Sequence, residues 1–101
     1  MTRNDKIKLI ADYYGLRDRL IKTPEECVEL AAASFKMAKA DVFYTALEND
    51  VIDEIADVLI MVEQLRYLLP GNYVDERIRK QIDYKLDRQI KRIGAELDGR
   101  R

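Results

Sequence analysis

Four carboxylates in this chain are spaced so that they can share one cation. Glu26 and Glu29 stand three residues apart in Pro24-Glu25-Glu26-Cys27-Val28-Glu29-Leu30, and Glu54 and Asp57 stand three apart in Asp53-Glu54-Ile55-Ala56-Asp57. On a helix that spacing puts both members of a pair on one face, one turn apart. Two such helices side by side would set all four acids against one another. Like charges so placed repel, more strongly when water is partly excluded. The arrangement calls for a compensating positive charge, and a divalent metal ion is the simplest one.

The other residue types narrow the chemistry. The chain has 101 residues and no His, which removes Ser/His and Cys/His nucleophilic schemes, His-containing zinc sites and Glu-x-x-His di-iron bundles. Its one Cys, Cys27, has no partner for an intrachain disulfide. Among apolar neighbours in an expected helix, Cys27 reads as a small core residue rather than a nucleophile. Acid/base work then falls to carboxylates, Lys, Tyr or metal-bound water. A net charge of −1 and a pI near 5.5 supply no surplus of phosphate-neutralising charge, so a nucleic acid polymer is not an expected partner. No N-terminal stretch has the apolar run of a signal peptide or a membrane span, so the expectation is a cytoplasmic protein with no membrane partner.

The elements that must position the acids are helices. A composition of 48% hydrophobic and 37% charged residues with four Gly and two Pro suits a patterned all-α domain and leaves little material for β-turns. The length predicts one domain over residues 1–101. A short first helix is expected over Asp5 to Tyr14, interrupted at Gly15, with Leu16 to Leu20 extending or restarting it. Thr23-Pro24-Glu25-Glu26 looks like a capping box with Pro at the first helical position, so a second helix is expected from Pro24 to about Lys39. Residues 39–49 are ambiguous, with Asp41 and Asn49 as caps or Tyr44 to Leu47 as an extra turn. A third helix is expected from Asp50 to Leu69, ended by Pro70-Gly71-Asn72. The fourth runs from about Val74 into the nineties, with Ile78, Ile82, Leu86, Ile90 or Gln89, Ile93 and Leu97 on one face and Lys85, Arg88 and Arg92 on another. Gly99-Arg100-Arg101 is expected to fray. The apolar coverage of the second and third helices exceeds what one short bundle would hide, which predicts self-association.

Glu25-Glu26-Cys27-Val28-Glu29 followed by Glu54-Ile55-Ala56-Asp57 resembles the MazG-like family of all-α nucleoside triphosphate pyrophosphohydrolases, in its short, phage-type form. The signature is Glu-Glu-x-x-Glu, a spacer that is here at the long end, then Glu-x-x-Asp. The resemblance covers nearly the whole chain. It implies a helical bundle of about four helices that assembles as a homodimer or homotetramer. It also implies hydrolysis of NTPs or dNTPs between the α and β phosphates, giving a monophosphate and pyrophosphate with Mg²⁺, for which Mn²⁺ can substitute. Carried over by position, Glu26, Glu29, Glu54 and Asp57 match the metal-binding acids, and Glu25 matches the first acid of the motif, which positions water or supports the ligands. Lys85 matches a Lys of the C-terminal helix near the phosphates, while Gln89 or Asp87 stands where relatives carry Asn.

On physical grounds Mg²⁺ prefers oxygen ligands shared between a few carboxylates and substrate phosphates, and it lowers the pKa of an attacking water. Glu29 or Glu25 would take the proton, and Lys85 or Arg88 would meet the charge of departing pyrophosphate. Structural roles compete with each assignment. Glu26 at the third helical position would close the capping box. Asp50 and Asp53 near a helix start would simply meet the helix dipole. Lys85, Arg88 and Arg92 would form a solvated face. The six Tyr suit core or interface rims, with Tyr13 or Tyr84 able to stack on a base. Two functions from different classes therefore follow: nucleotide pyrophosphohydrolase, serving to cleanse a nucleotide pool, or a non-catalytic helical dimer serving as an interaction module. A relative acting on phosphoribosyl-ATP shares the chemistry of the first.

Overall fold

The computed structural model describes residues 1–99, which form four helices and no strand: α1 (Arg3–Tyr14), α2 (Leu16–Ala38), α3 (Thr45–Leu68) and α4 (Val74–Gly99). The expected all-α class and helix number hold. Arg100 and Arg101 of the expected frayed end lie outside the described residues, and Gly99 closes α4. The chain divides into two compact units, one holding α1 to α3 over residues 1–69 and one beginning at Pro70 and holding α4.

Helix α1 opens two residues before its expected start because Thr2 is its cap. Thr2 Oγ1 accepts from the Asp5 backbone N–H and Asp5 Oδ2 accepts from the Thr2 N–H, both at 3.0 Å. This reciprocal pair is the capping box of the chain. The hydrogen bond from the Thr2 backbone N–H, with a smaller contribution from the Thr2 side chain, holds the Asp5 carboxyl below its usual range. Gly15 separates α1 from α2 with φ 82 and ψ 167, a backbone conformation almost closed to residues with a Cβ.

The second helix corrects the expectation of a start at Pro24. It begins at Leu16 and passes through Pro24 without a break. Thr23 is no cap: its hydroxyl donates to the Arg19 carbonyl one turn back, at 2.7 Å. Pro24 has no N–H to give the preceding turn, but its fixed φ is helical, so the cost is a hydrogen bond and not the helix. Glu26 is thereby relieved of the capping role and lies mid-helix. The end of α2 at Ala38, with Lys39 as its cap, falls where it was expected.

Helix α3 takes in the extra turn over Tyr44 to Leu47, with Tyr44 at the N-cap position and Glu48 as the acid of the first turn. Asp41 and Asn49 cap nothing. Asp50 and Asp53 are displaced inward, so the helix-dipole role expected of Asp53 does not apply.

The first unit buries little. Its buried apolar side chains are Ala11 and Met61, and its buried polar ones are Arg19 and Gln64. Cys27, expected in a core, is exposed. So are Ile21, Val28 and Phe35, spaced by seven along α2, and Ile52, Ile55, Leu59 and Ile60 on α3. An open groove of about 720 Å³ between α1 and α3 is lined by Ile7, Ala56, Leu59 and Ile60, with Arg3 and Glu63 among its polar residues. Tyr67 of α3 donates to Asp12 of α1 at 2.9 Å.

In the second unit, Tyr73 adopts a left-handed φ of 57 and leads into α4. The Arg77 backbone N–H donates to the Tyr73 carbonyl at 2.9 Å. The apolar residues Ile82, Leu86, Ile90, Ile93 and Leu97 are all exposed along α4. No helix among the described residues is long and apolar enough to cross a membrane.

The Gly15 backbone generates a prediction. A Cβ there meets no atom within 4 Å, so Gly15→Ala introduces backbone strain without a clash. It should cost about 1–3 kcal/mol in urea denaturation at fixed protein concentration. An unchanged midpoint would show that the α1–α2 junction can relax to another conformation.

Candidate metal centre

The site is built on the seam between α2 and α3, the principal helix pair of the first unit. Arg19 of α2 meets Gln64 of α3, and Glu29 of α2 meets Glu54 of α3. The residue numbers of the two pairs run in opposite directions, so the helices are antiparallel and in one register. By that register Glu26 falls opposite Asp57 and Lys22 opposite Met61. Both acid pairs thus face the seam, and the spacing read from sequence is realised in space.

Carboxylate oxygens of Glu26, Glu29, Glu54 and Asp57 lie within 4.8 Å of one another. The Glu26 side chain is 13% exposed, Glu54 is half-buried, and Glu29 is exposed. Oε2 of Glu26 and Oε2 of Glu54 are both buried without a hydrogen-bond partner. A buried carboxylate oxygen left unpaired carries a desolvation penalty that a ligand would remove. The donor set is all oxygen, which suits a hard divalent cation such as Mg²⁺ or Mn²⁺. Partial burial raises the Glu54 pKa above the ordinary carboxylate value. The charge of Glu29, a hydrogen bond shared with it, and the charges of Asp57 and Asp53 add to the rise. A bound cation would reverse each of these charge effects.

Glu25 stands outside this group of four. Its Oε2 pairs with Lys22 Nζ at 3.1 Å, and the same ammonium reaches Glu26 Oε1 at 3.5 Å. The hydrogen bond to Glu25, then the charges of Glu25 and Glu26, raise the Lys22 pKa. Lys85 and Arg88 lie on α4 in the second unit, where the Arg88 guanidinium stands 5.7 Å from the Tyr84 ring centre.

The sequence reading missed the group that anchors the other end of the seam. The Arg19 guanidinium is bound by Asp18, with Nε to Oδ1 at 2.8 Å, and covers the Tyr14 ring at 4.0 Å. It also donates to Gln64 Oε1 at 3.4 Å, beside the Met61 sulfur. Arg19 joins all three helices of the unit. The signal lay in the spacing: Arg19, Lys22, Glu26 and Glu29 share one helical face, as do Glu54, Asp57, Met61 and Gln64.

No family model, curated protein or solved structure matches the chain. The likeness to the MazG-like family therefore stands on the acid motif, and the function on what the site can do.

The Glu54 pKa predicts how the metal-free protein responds to pH. A carboxyl whose folded pKa is raised contributes stability that is fully present below its unfolded pKa and lost as pH rises through the folded value. Asp5, with a lowered pKa, acts oppositely and only at lower pH. Metal-free protein should thus melt higher as pH falls through the raised Glu54 value toward the ordinary carboxylate range, and Glu54→Gln should flatten that slope. Millimolar Mg²⁺ or Mn²⁺ at neutral pH should raise the melting point of the parent more than that of the variant. Equal responses of the two proteins to metal would remove Glu54 from the ligand set.

Proposed function

We propose that the chain is a metal-dependent nucleoside triphosphate pyrophosphohydrolase, cleaving NTPs or dNTPs between the α and β phosphates. The observation that carries this reading is the meeting of four carboxylates across one seam with two buried oxygens unpaired. Polyphosphates are the substrates for which a wall of acids is useful, because the same cation satisfies acids and phosphates together. Glu26, Glu29, Glu54 and Asp57 would hold Mg²⁺, with Mn²⁺ as a substitute. When bound, the ion supplies charge neutralisation at the phosphates and a water of lowered pKa. Glu29, exposed at the site, would accept a proton from the attacking water, with Glu25 as the alternative base one turn away on the same helix. Glu26 and Glu54, more enclosed, fix the geometry.

The same proposal includes self-association as a homodimer or homotetramer. With Ala11 and Met61 as the buried apolar side chains, one copy removes too little apolar surface from water to offset the entropy of ordering three long helices. The exposed stripe Ile21, Val28 and Phe35 of α2, which are 63%, 66% and 65% exposed, is apolar surface of the kind that obligate interfaces cover. This exposure also favours the interaction-module reading, in which the acids have only structural roles. The two readings differ in chemistry and not in assembly.

Pyrophosphate release from a panel of NTPs and dNTPs with Mg²⁺ separates them. The parent should release pyrophosphate, and folded Glu54→Gln and Glu29→Gln variants should lose at least about a hundredfold in rate. A parent that cleaves no nucleotide, with variants of unchanged metal binding, would leave the interaction module as the function. Sedimentation at micromolar concentration should show a dimer or larger, with a melting point that rises with protein concentration. A monomer with a concentration-independent melting point would end the case for self-association.

A further inference from the structure

We propose that α4 is an assembly helix that pairs in parallel with α4 of a second copy of this chain, along the stripe Ile82, Leu86, Ile90, Ile93 and Leu97. The proposal deepens the self-association part of the function proposed above, naming a surface and its orientation, and is independent of the chemistry at the acids. Helix α4 has 26 residues and buries none of them. A helix left uncovered is marginal in water, because helical stability in proteins comes mainly from covering an amphipathic face. The five apolar side chains, each more than half exposed, follow one another at steps of three or four residues and so form one narrow stripe.

The charges beside the stripe identify what covers it. Through the middle of α4, Asp83 and Asp87 flank it on one side and Lys85 and Arg92 on the other, with Lys80 and Glu96 departing from the pattern toward the ends. Two identical helices packed in parallel bring unlike flanks together, so the acids of each copy face the bases of the other. Packed antiparallel, they would set each flank against itself, acid to acid and base to base. A second copy in parallel is therefore the occupant whose charges match on both sides at once. An anionic lipid surface matches the basic flank alone and is opposed by Asp83 and Asp87. Parallel pairing also tethers both first units to the same end of the helix pair, which raises the effective concentration of one for the other. The exposed α2 stripe of Ile21, Val28 and Phe35 would then meet its copy without a further bimolecular step.

Cysteine cross-linking of the full chain reads the orientation. Cys27 is exposed and is first replaced, Cys27→Ser. In that background Ile82→Cys and Leu97→Cys each put one thiol near one end of the stripe, where only a parallel pair sets a residue against its own copy. Under mild copper-catalysed air oxidation each variant, alone, should go mostly to a disulfide-linked dimer. The charges are tested by sedimentation: Asp83→Lys with Asp87→Lys, and Lys85→Glu with Arg92→Glu, each checked for helicity, should self-associate roughly tenfold or more weakly, and an equimolar mixture of the two should recover the parent's affinity. Cross-links that form only when Ile82→Cys and Leu97→Cys are mixed would mean an antiparallel pair and overturn the proposal. Charge variants that assemble like the parent overturn it as well. Absence of any cross-link, in a protein that still sediments as a dimer or larger, overturns it and leaves self-association to another surface. A monomeric parent ends both.

Discussion

The structure turns on holding four like charges together across one helix seam. Carboxylates within 4.8 Å of each other repel, and repulsion on two parallel stripes would open the helices like a hinge unless something fixed the seam elsewhere. Arg19 and Gln64 fix it. They lie two helical turns from Glu26 and Asp57, and they join α2 to α3 through a buried, charge-assisted contact. A buried guanidinium is costly unless it is well partnered; here Asp18, the face of Tyr14 and Gln64 all serve it. The seam thus runs from a satisfied positive end, through Lys22, to an unsatisfied negative end.

The position of the acids within their helices follows from where those helices begin. Had α2 started at Pro24, Glu26 would sit in the first turn, facing orphan backbone N–H groups and free to fray. Gly15 moves the start back to Leu16, and the extra turn at Thr45 does the same for α3. All four acids therefore project from mid-helix backbone whose hydrogen bonds are already made. Ligands on such a backbone move little, which is what a shared cation requires.

Much of this was legible in the sequence, for a particular reason. The spacings Glu26 to Glu29 and Glu54 to Asp57 are local, and a helix converts local spacing into a shared face without help from the rest of the fold. The helix starts were harder. Thr23-Pro24-Glu25-Glu26 has every residue of a cap, yet the same residues also tolerate a helix interior, and what decides is the upstream backbone at Gly15. The true box, Thr2 with Asp5, uses Asp in place of Glu and was passed over. Arg19 and Gln64 are hard to read because each belongs to a polar cluster, Arg17-Asp18-Arg19 and Glu63-Gln64, that looks like solvated surface. Cys27, Val28 and Phe35 look like core because periodicity marks an apolar face without saying which molecule covers it.

That last ambiguity bears on the site. Ile21, Val28 and Phe35 lie on α2 about a third of a turn from the face that bears Lys22, Glu26 and Glu29, so one helix carries both the acids and an exposed apolar stripe. In a first unit with two buried apolar side chains, the Arg19 contacts are the ones that join all three helices. Anything that binds the folded form adds to its stability by mass action. On the proposed function, a cation at the acids and a second copy on the apolar stripe would stabilise the same helix pair. Each would then favour the other through the order it imposes on α2, with no change of shape required.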